Sequence, residues 1–144
     1  MVKVEAMPAD EIDALLRRQT FGHLGCSYDD HPYVVPMHYA YDGQDLYFLT
    51  TEGTKTGFIA ANPEVCFQVE EVIDASNWRS VMIVGRATKL TKSDELERAM
   101  QLIAERNPTL APALNRTDIG PWHRLSRIVV YRLRPATICG RRTV

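Results

Sequence analysis

Leu46-Tyr47-Phe48-Leu49-Thr50-Thr51-Glu52-Gly53-Thr54-Lys55-Thr56 decides how the fold is read. An apolar strand-like run, Leu46 to Leu49, enters a turn rich in Thr, Gly and Lys. A short helix-like segment, Thr54 to Ala61, follows and stops at Asn62-Pro63. Val65-Cys66-Phe67-Gln68-Val69 then begins another strand, read to Val72. On the near side, Asp42-Gly43 is a hairpin turn into a strand over Asp45 to Thr50. Strands joined by turns this short pair antiparallel.

Upstream, Asp10 can cap a first helix with Ile12, Leu15 and Leu16 on one face and Arg17 and Arg18 near its end. Phe21 to Tyr28 alternates as a strand, and Asp29-Asp30-His31-Pro32 is a turn. Tyr33 to Tyr41 is a second strand, interrupted by Pro36. Proline has no N–H for a ladder, so Pro36 marks an edge, a bulge or a place where something other than a strand is paired.

Downstream, Trp78 to Leu90 is a long strand with Gly85 inside it, which predicts a bulge or bend. Thr91 and Asp94 stand at capping-box spacing before a helix that places Leu96, Ala99, Met100 and Ile103 on one face. Asn107-Pro108 ends that helix, and residues 109 to 125 read as irregular or weakly helical. Arg127 to Arg134 is the last clear strand, and Thr137 to Cys139 adds a short piece. About six antiparallel strands with two or three helices make a mainly β domain, and so many strands in one small unit predict closure into a barrel.

The 144 residues fit one domain, spanning 1–144, with an ordinary 45% hydrophobic and 24% charged content. A net charge of −1 leaves no electrostatic footprint for nucleic acid, and the Arg-rich tail reads as a solvated edge or subunit contact. No run reaches the roughly 20 apolar residues that span a bilayer. The N-terminus lacks signal-peptide regions, so the default expectation is a cytoplasmic protein without a membrane partner. Cys26, Cys66 and Cys139 are far apart, each in an apolar strand-like context, which suits buried reduced thiols, and no spacing suggests a metal site.

Three segments carry chemistry. The Thr50-to-Thr56 turn offers backbone N–H groups, hydroxyls and one ammonium to a phosphate. It is not a P-loop, because Thr54 separates Gly53 from Lys55 and the flanking strands are antiparallel. Taken alone it reads more simply as a surface loop with a solvated lysine. Pro36-Met37-His38-Tyr39 combines free backbone groups, a thioether and an imidazole, although His38 alone reads as a hydrogen-bonded core or interface histidine. No carboxylate is placed to orient His38 into a triad. Trp78-Arg79-Ser80-Val81 adds donors at a strand start, with an ordinary exposed strand end as the alternative.

In this order and spacing, these segments resemble the pyridoxamine-phosphate-oxidase-like FMN-binding split barrels, nearest to the nitroimidazole-resistance branch. The carrying motifs are Gly22-His23-Leu24-Gly25, Pro32 to Tyr39, Leu46-Tyr47-Phe48 with Thr50 and Lys55, Asn62 to Phe67, and Trp78 to Ala87. The resemblance implies a six-stranded antiparallel split β-barrel that forms a homodimer with FMN at the subunit interface. By motif position it implies that Val35, Pro36, Met37 and His38 line the flavin ring. Thr50 and Thr51 approach the ribityl chain or phosphate, Lys55 and Thr56 hold the phosphate, and Arg79 and Ser80 reach the flavin. Trp122 and His123 cover the ring from the partner.

The fuller basic set of the vitamin B6 oxidases is missing, with only Lys55 near the phosphate and a partial tail match at Arg132-Leu133-Arg134-Pro135. The implied function is a flavin-dependent oxidoreductase of a small molecule, with His38 nearest the reacting centre as a polar contact or proton donor. Related barrels bind a deazaflavin or haem instead, which leaves a non-enzymatic storage, sensing or stress-protection protein as the alternative.

Overall fold

A computed structural model describes residues 1–110 and 128–144. Seven strands and three α-helices follow in the order β1 (Val4–Ala6), α1 (Ala9–Arg18), β2 (Phe21–Tyr28), β3 (His31–Tyr41), β4 (Leu46–Thr51), α2 (Thr54–Ala61), β5 (Glu64–Asp74), β6 (Asn77–Lys89), α3 (Ser93–Arg106) and β7 (Ile128–Thr143), with a 3-10 turn at Pro108–Leu110. The strand order is β1-β7-β4-β3-β2-β5-β6, and β6 pairs again with β7. That last pairing closes β2, β3, β4, β7, β6 and β5 into a six-stranded antiparallel barrel. The expected barrel is therefore present, with short β1 added outside the ring along the end of β7.

Alternation fills the barrel. Leu24, Tyr39, Leu46, Phe48, Phe67, Val69, Val81, Ile83 and Leu133 are fully buried. Phe67 sits at the centre, edge-on to Tyr39 at 5.4 Å and tilted against Phe48 at 6.0 Å. Helix α1 adds Leu15 and Leu16 to this core, and the Tyr39 hydroxyl donates to the Leu16 carbonyl at 2.8 Å. Ile59 of α2 joins the same core, with Phe58 packed against Tyr33. Helix α3 lies outside the barrel, where Ala99 and Ile103 pack on Ala40, Leu90 and Val130.

Several local expectations need correction. Pro8, not Asp10, is the N-cap of α1, and Asp10 sits in the first turn. Lys92, not Thr91, is the N-cap of α3, without a side-chain cap bond, so the capping box is not formed. Of the three cysteines expected to be buried, only Cys26 is, and Cys139 is exposed. The tail is one continuous strand over Ile128–Thr143 rather than two pieces. Pairing along nearly all of β6 holds it extended through Pro135. The register shift falls at Gly85 as expected, but the extra residue is Ala136 on the opposite strand, between the pairs Val84↔Thr137 and Gly85↔Pro135.

The β2–β3 hairpin has only Asp29 and Asp30 between the paired Tyr28 and His31. Both have positive φ, 49° and 63°, as a type I′ turn requires. Replacing Asp30 by glycine relieves the left-handed backbone, and stability is expected to rise by about 0.5–1 kcal/mol in a urea titration.

Candidate flavin cleft

The barrel is split along one seam. β3 pairs with β4 only over Tyr39, Ala40 and Tyr41. From His31 to His38, β3 pairs with β2 alone among the described residues, and Leu49 to Thr51 of β4 pair with β7 alone. The two strands therefore diverge, and α2 emerges from the β4 side of the gap. Pro36 lies on the free edge of β3, so its missing N–H costs no ladder bond.

Register divides the expected ring-lining residues between two faces. Val35 and Met37 pair with Leu24 and Gly22 and point into the barrel. Pro36 and His38 pair with His23 and Phe21 on the outer face. The same outer face continues across the sheet through Val34, Gly25, Cys66 and Val84, and through Gln68, Met82 and Ser80. Phe21, Val34, Met82 and Val84 are exposed there, Val34 at 68%.

His38 is half-buried at the border between this open face and α3. Its Nδ1 lies 3.0 Å from Oδ1 of Asn107, and Phe21 meets the ring edge-on at 5.0 Å. Asn107 is buried and also donates Nδ2 to the carbonyls of Tyr39 and Ile103. The sequence showed Asn107 only as a helix stop. Its link to His38 spans 69 positions, and no local pattern carries it.

On the α2 side, Thr51 and Lys55 are half-buried and Thr50 is buried. The Thr56 hydroxyl accepts the Gly53 N–H and donates to the Gly53 carbonyl, each at 2.8 Å. Thr56 therefore serves first as the cap of α2. A Cβ added at Gly53 or Gly57 would meet nothing within 4 Å, so the face of this first turn is open. An open cavity of about 390 Å³ lies there, lined by Gly53, Thr56, Gly57, Lys89, Tyr131 and Glu52. Lys89 is a cation that sequence reasoning missed, because the end of β6 is brought to the turn only by barrel closure. The Lys55 charge is felt at Cys26, whose thiol burial pushes upward first and Lys55 draws down. No carboxylate among the described residues pairs with Lys55 or Lys89 in an ion pair.

Arg79 and Ser80 separate. The Ser80 hydroxyl is on the outer face and accepts from Gln68 Nε2 at 2.9 Å. Arg79 turns to the barrel end, 3.7 Å from Glu71. Glu71 also accepts from Arg18 at 3.0 and 3.2 Å and from Gln19 at 3.0 Å. Hydrogen bonding from Arg18 leads in holding this carboxyl below its ordinary 4.5. A depressed folded value stabilises the protein fully above the unfolded value, and the contribution fades as pH falls through the folded one. Glu71→Gln is expected to cost about 0.5–1 kcal/mol at neutral pH and to flatten the acid limb below about pH 4.5. Urea titrations from pH 7 down to pH 3 check both. Trp122 and His123 lie outside the described residues. Among those described, no cluster of His, Cys, Asp and Glu could hold a metal, and no helix is long and apolar enough to cross a membrane.

A family model described as pyridoxamine 5'-phosphate oxidase matches residues 8–142. The chain belongs to this family. Among solved structures, a FAD-binding protein of Mesorhizobium loti superposes with a TM-score of 0.78 at 26% identity, covering 100% of this chain and 99% of that one. A Bacteroides thetaiotaomicron structure proposed to be a 5-nitroimidazole antibiotic resistance protein follows at 0.75 and 18% identity, covering 99% and 89%. A haem-binding protein of Mycobacterium smegmatis shares the fold at 0.72 and 15% identity, covering 92% of this chain and 53% of that one. An uncharacterized Rhizobium meliloti protein is 33% identical over 87 residues, which span 60% of this chain and 58% of that relative. The split seam is thus a feature of a pyridoxamine 5'-phosphate oxidase-type barrel.

Proposed function

We propose that this chain binds FMN in the split and works as a flavin-dependent oxidoreductase on a small molecule, with a nitroaromatic-type acceptor the first class to test. One observation carries the reading. Lys55, unmatched by any described carboxylate, stands in the first turn of α2, directly after the end of β4 that parts from the free β3 edge at Pro36 to His38. A phosphate dianion suits the first group, since the α2 N-terminus offers backbone N–H groups and Lys55 an ammonium. A flat heteroaromatic ring suits the second, where unpaired strand groups can bond its polar edge.

In this reading Lys55 and the α2 turn hold the phosphate, and Thr51 lies toward the ribityl chain. Pro36 and His38 bound the ring, while Val35 and Met37 support that strand from inside. Ser80 reaches the ring region from the outer face. Thr56 acts by fixing the turn, and Arg79 binds only by releasing Glu71. The bound flavin supplies the electron transfer; the chain supplies orientation and electrostatics. Likeness to a FAD-binding protein at 26% identity supports a flavin over other ligands.

A second copy of the chain completes the cleft. Phe21, Val34, Met82 and Val84 form an exposed apolar row on the face that carries His38, and a homodimer would bury it. Two measurements test the proposal together. FMN titration should quench flavin fluorescence to a saturable endpoint, and light scattering of the complex should give twice the chain mass. Absence of saturable FMN binding would reject the cofactor, and a monomeric complex would reject the shared cleft.

A further inference from the structure

Asn107 is the most constrained polar side chain near the split, 3% exposed at the end of α3. Its Nδ2 donates to the Tyr39 carbonyl at 3.0 Å and to the Ile103 carbonyl at 2.9 Å. Both amide hydrogens are committed, so the amide cannot flip without aiming its oxygen at two carbonyl oxygens. Oδ1, which can only accept, lies 3.0 Å from Nδ1 of His38. A hydrogen bond across that gap requires the proton to sit on Nδ1. Phe21 stands edge-on to the imidazole at 5.0 Å and opposes a turn of the ring.

We propose that Asn107 is the positioning residue of the site: it holds neutral His38 as the Nδ1–H tautomer and leaves Nε2 as a lone-pair acceptor. The neutral ring then takes a hydrogen bond from its occupant and has no proton at Nε2 to give. The favoured occupant presents an N–H or O–H toward His38, and one presenting only acceptor atoms there is disfavoured. The device also ties the site to α3, because the same amide closes that helix through Ile103. The assignment of the tautomer stands on the hydrogen bonds alone; that the occupant is a flavin rests on the reading above.

The test is a long-range ¹H–¹⁵N correlation spectrum of the histidine-labelled full chain without ligand, at about pH 8.5, where an ordinary imidazole is neutral. The His38 signals are assigned by their loss in His38→Gln. A pyrrole-like Nδ1 with a pyridine-like Nε2 is expected. In Asn107→Ala the ring should shift toward the Nε2–H form that free histidine favours, and FMN affinity should fall about tenfold. A wild-type Nε2–H ring would overturn the proposal even with FMN tightly bound, and needs no variant to fold. An Nδ1–H ring unchanged in Asn107→Ala would overturn the role given to Asn107. If FMN does not bind, the tautomer result is read unchanged, so the two failures are distinguishable.

Discussion

Gly85→Ala is expected to destabilise the protein by about 2–3 kcal/mol, although a single methyl group is all that is added. A Cβ at Gly85 would stand 2.1 Å from the Arg134 carbonyl oxygen and 3.1 Å from the Ala136 nitrogen. Both neighbours are backbone, so no side chain can rotate away, and β6 and β7 must part where they close the barrel. The sign is as informative as the size. A glycine with room for a methyl group gains about 0.4–1 kcal/mol on becoming alanine, through the unfolded chain. Denaturant unfolding with an unchanged m-value checks the result. Equal or greater stability in the variant would contradict the tight bulge.

Lys55→Ala should weaken FMN binding by about 1.5–3 kcal/mol, on the order of 10- to 150-fold, as expected for a lost charge-assisted hydrogen bond. Riboflavin, which lacks the phosphate, separates this from general damage: its affinity should hardly change. Folding should be intact, because Lys55 is half-buried and makes no described ion pair. Raising salt should weaken FMN binding in the wild type more than in the variant, as screening removes an attraction that the variant has already lost. Equal loss for FMN and riboflavin would place Lys55 away from the phosphate.

Local chemistry made the hairpins legible, while the split came only with the family resemblance. Asp42-Gly43 gives its turn, with Gly43 at a φ of 96° and the Asp42 carboxylate accepting from the Gln44 and Asp45 N–H groups. Pro36 left an edge, a bulge or another kind of pairing open, because a proline cannot serve a central ladder; the structure resolves this as an edge, with the gap between β3 and β4 opening beside it. What the sequence did not show depends on distant partners. The tail containing Pro135 and Gly140 has weak strand character of its own, and its continuity comes from pairing with β6. Arg79 reads as a free donor until folding sets Glu71, Arg18 and Gln19 beside one another. Thr56 reads as a phosphate ligand, yet the shorter path for its hydroxyl is back to Gly53. Asn107 belongs to the site only because α3 returns across the outer face of β3 and β4 and ends at His38.

Whether the split holds a flavin is read from the visible absorption spectrum of the purified protein. The bands of oxidised flavin are expected, retained on purification or restored when FMN is added, with the chromophore eluting with the protein on gel filtration. A Soret band would show haem in its place, and a protein that stays colourless after FMN is added would contradict the claim outright.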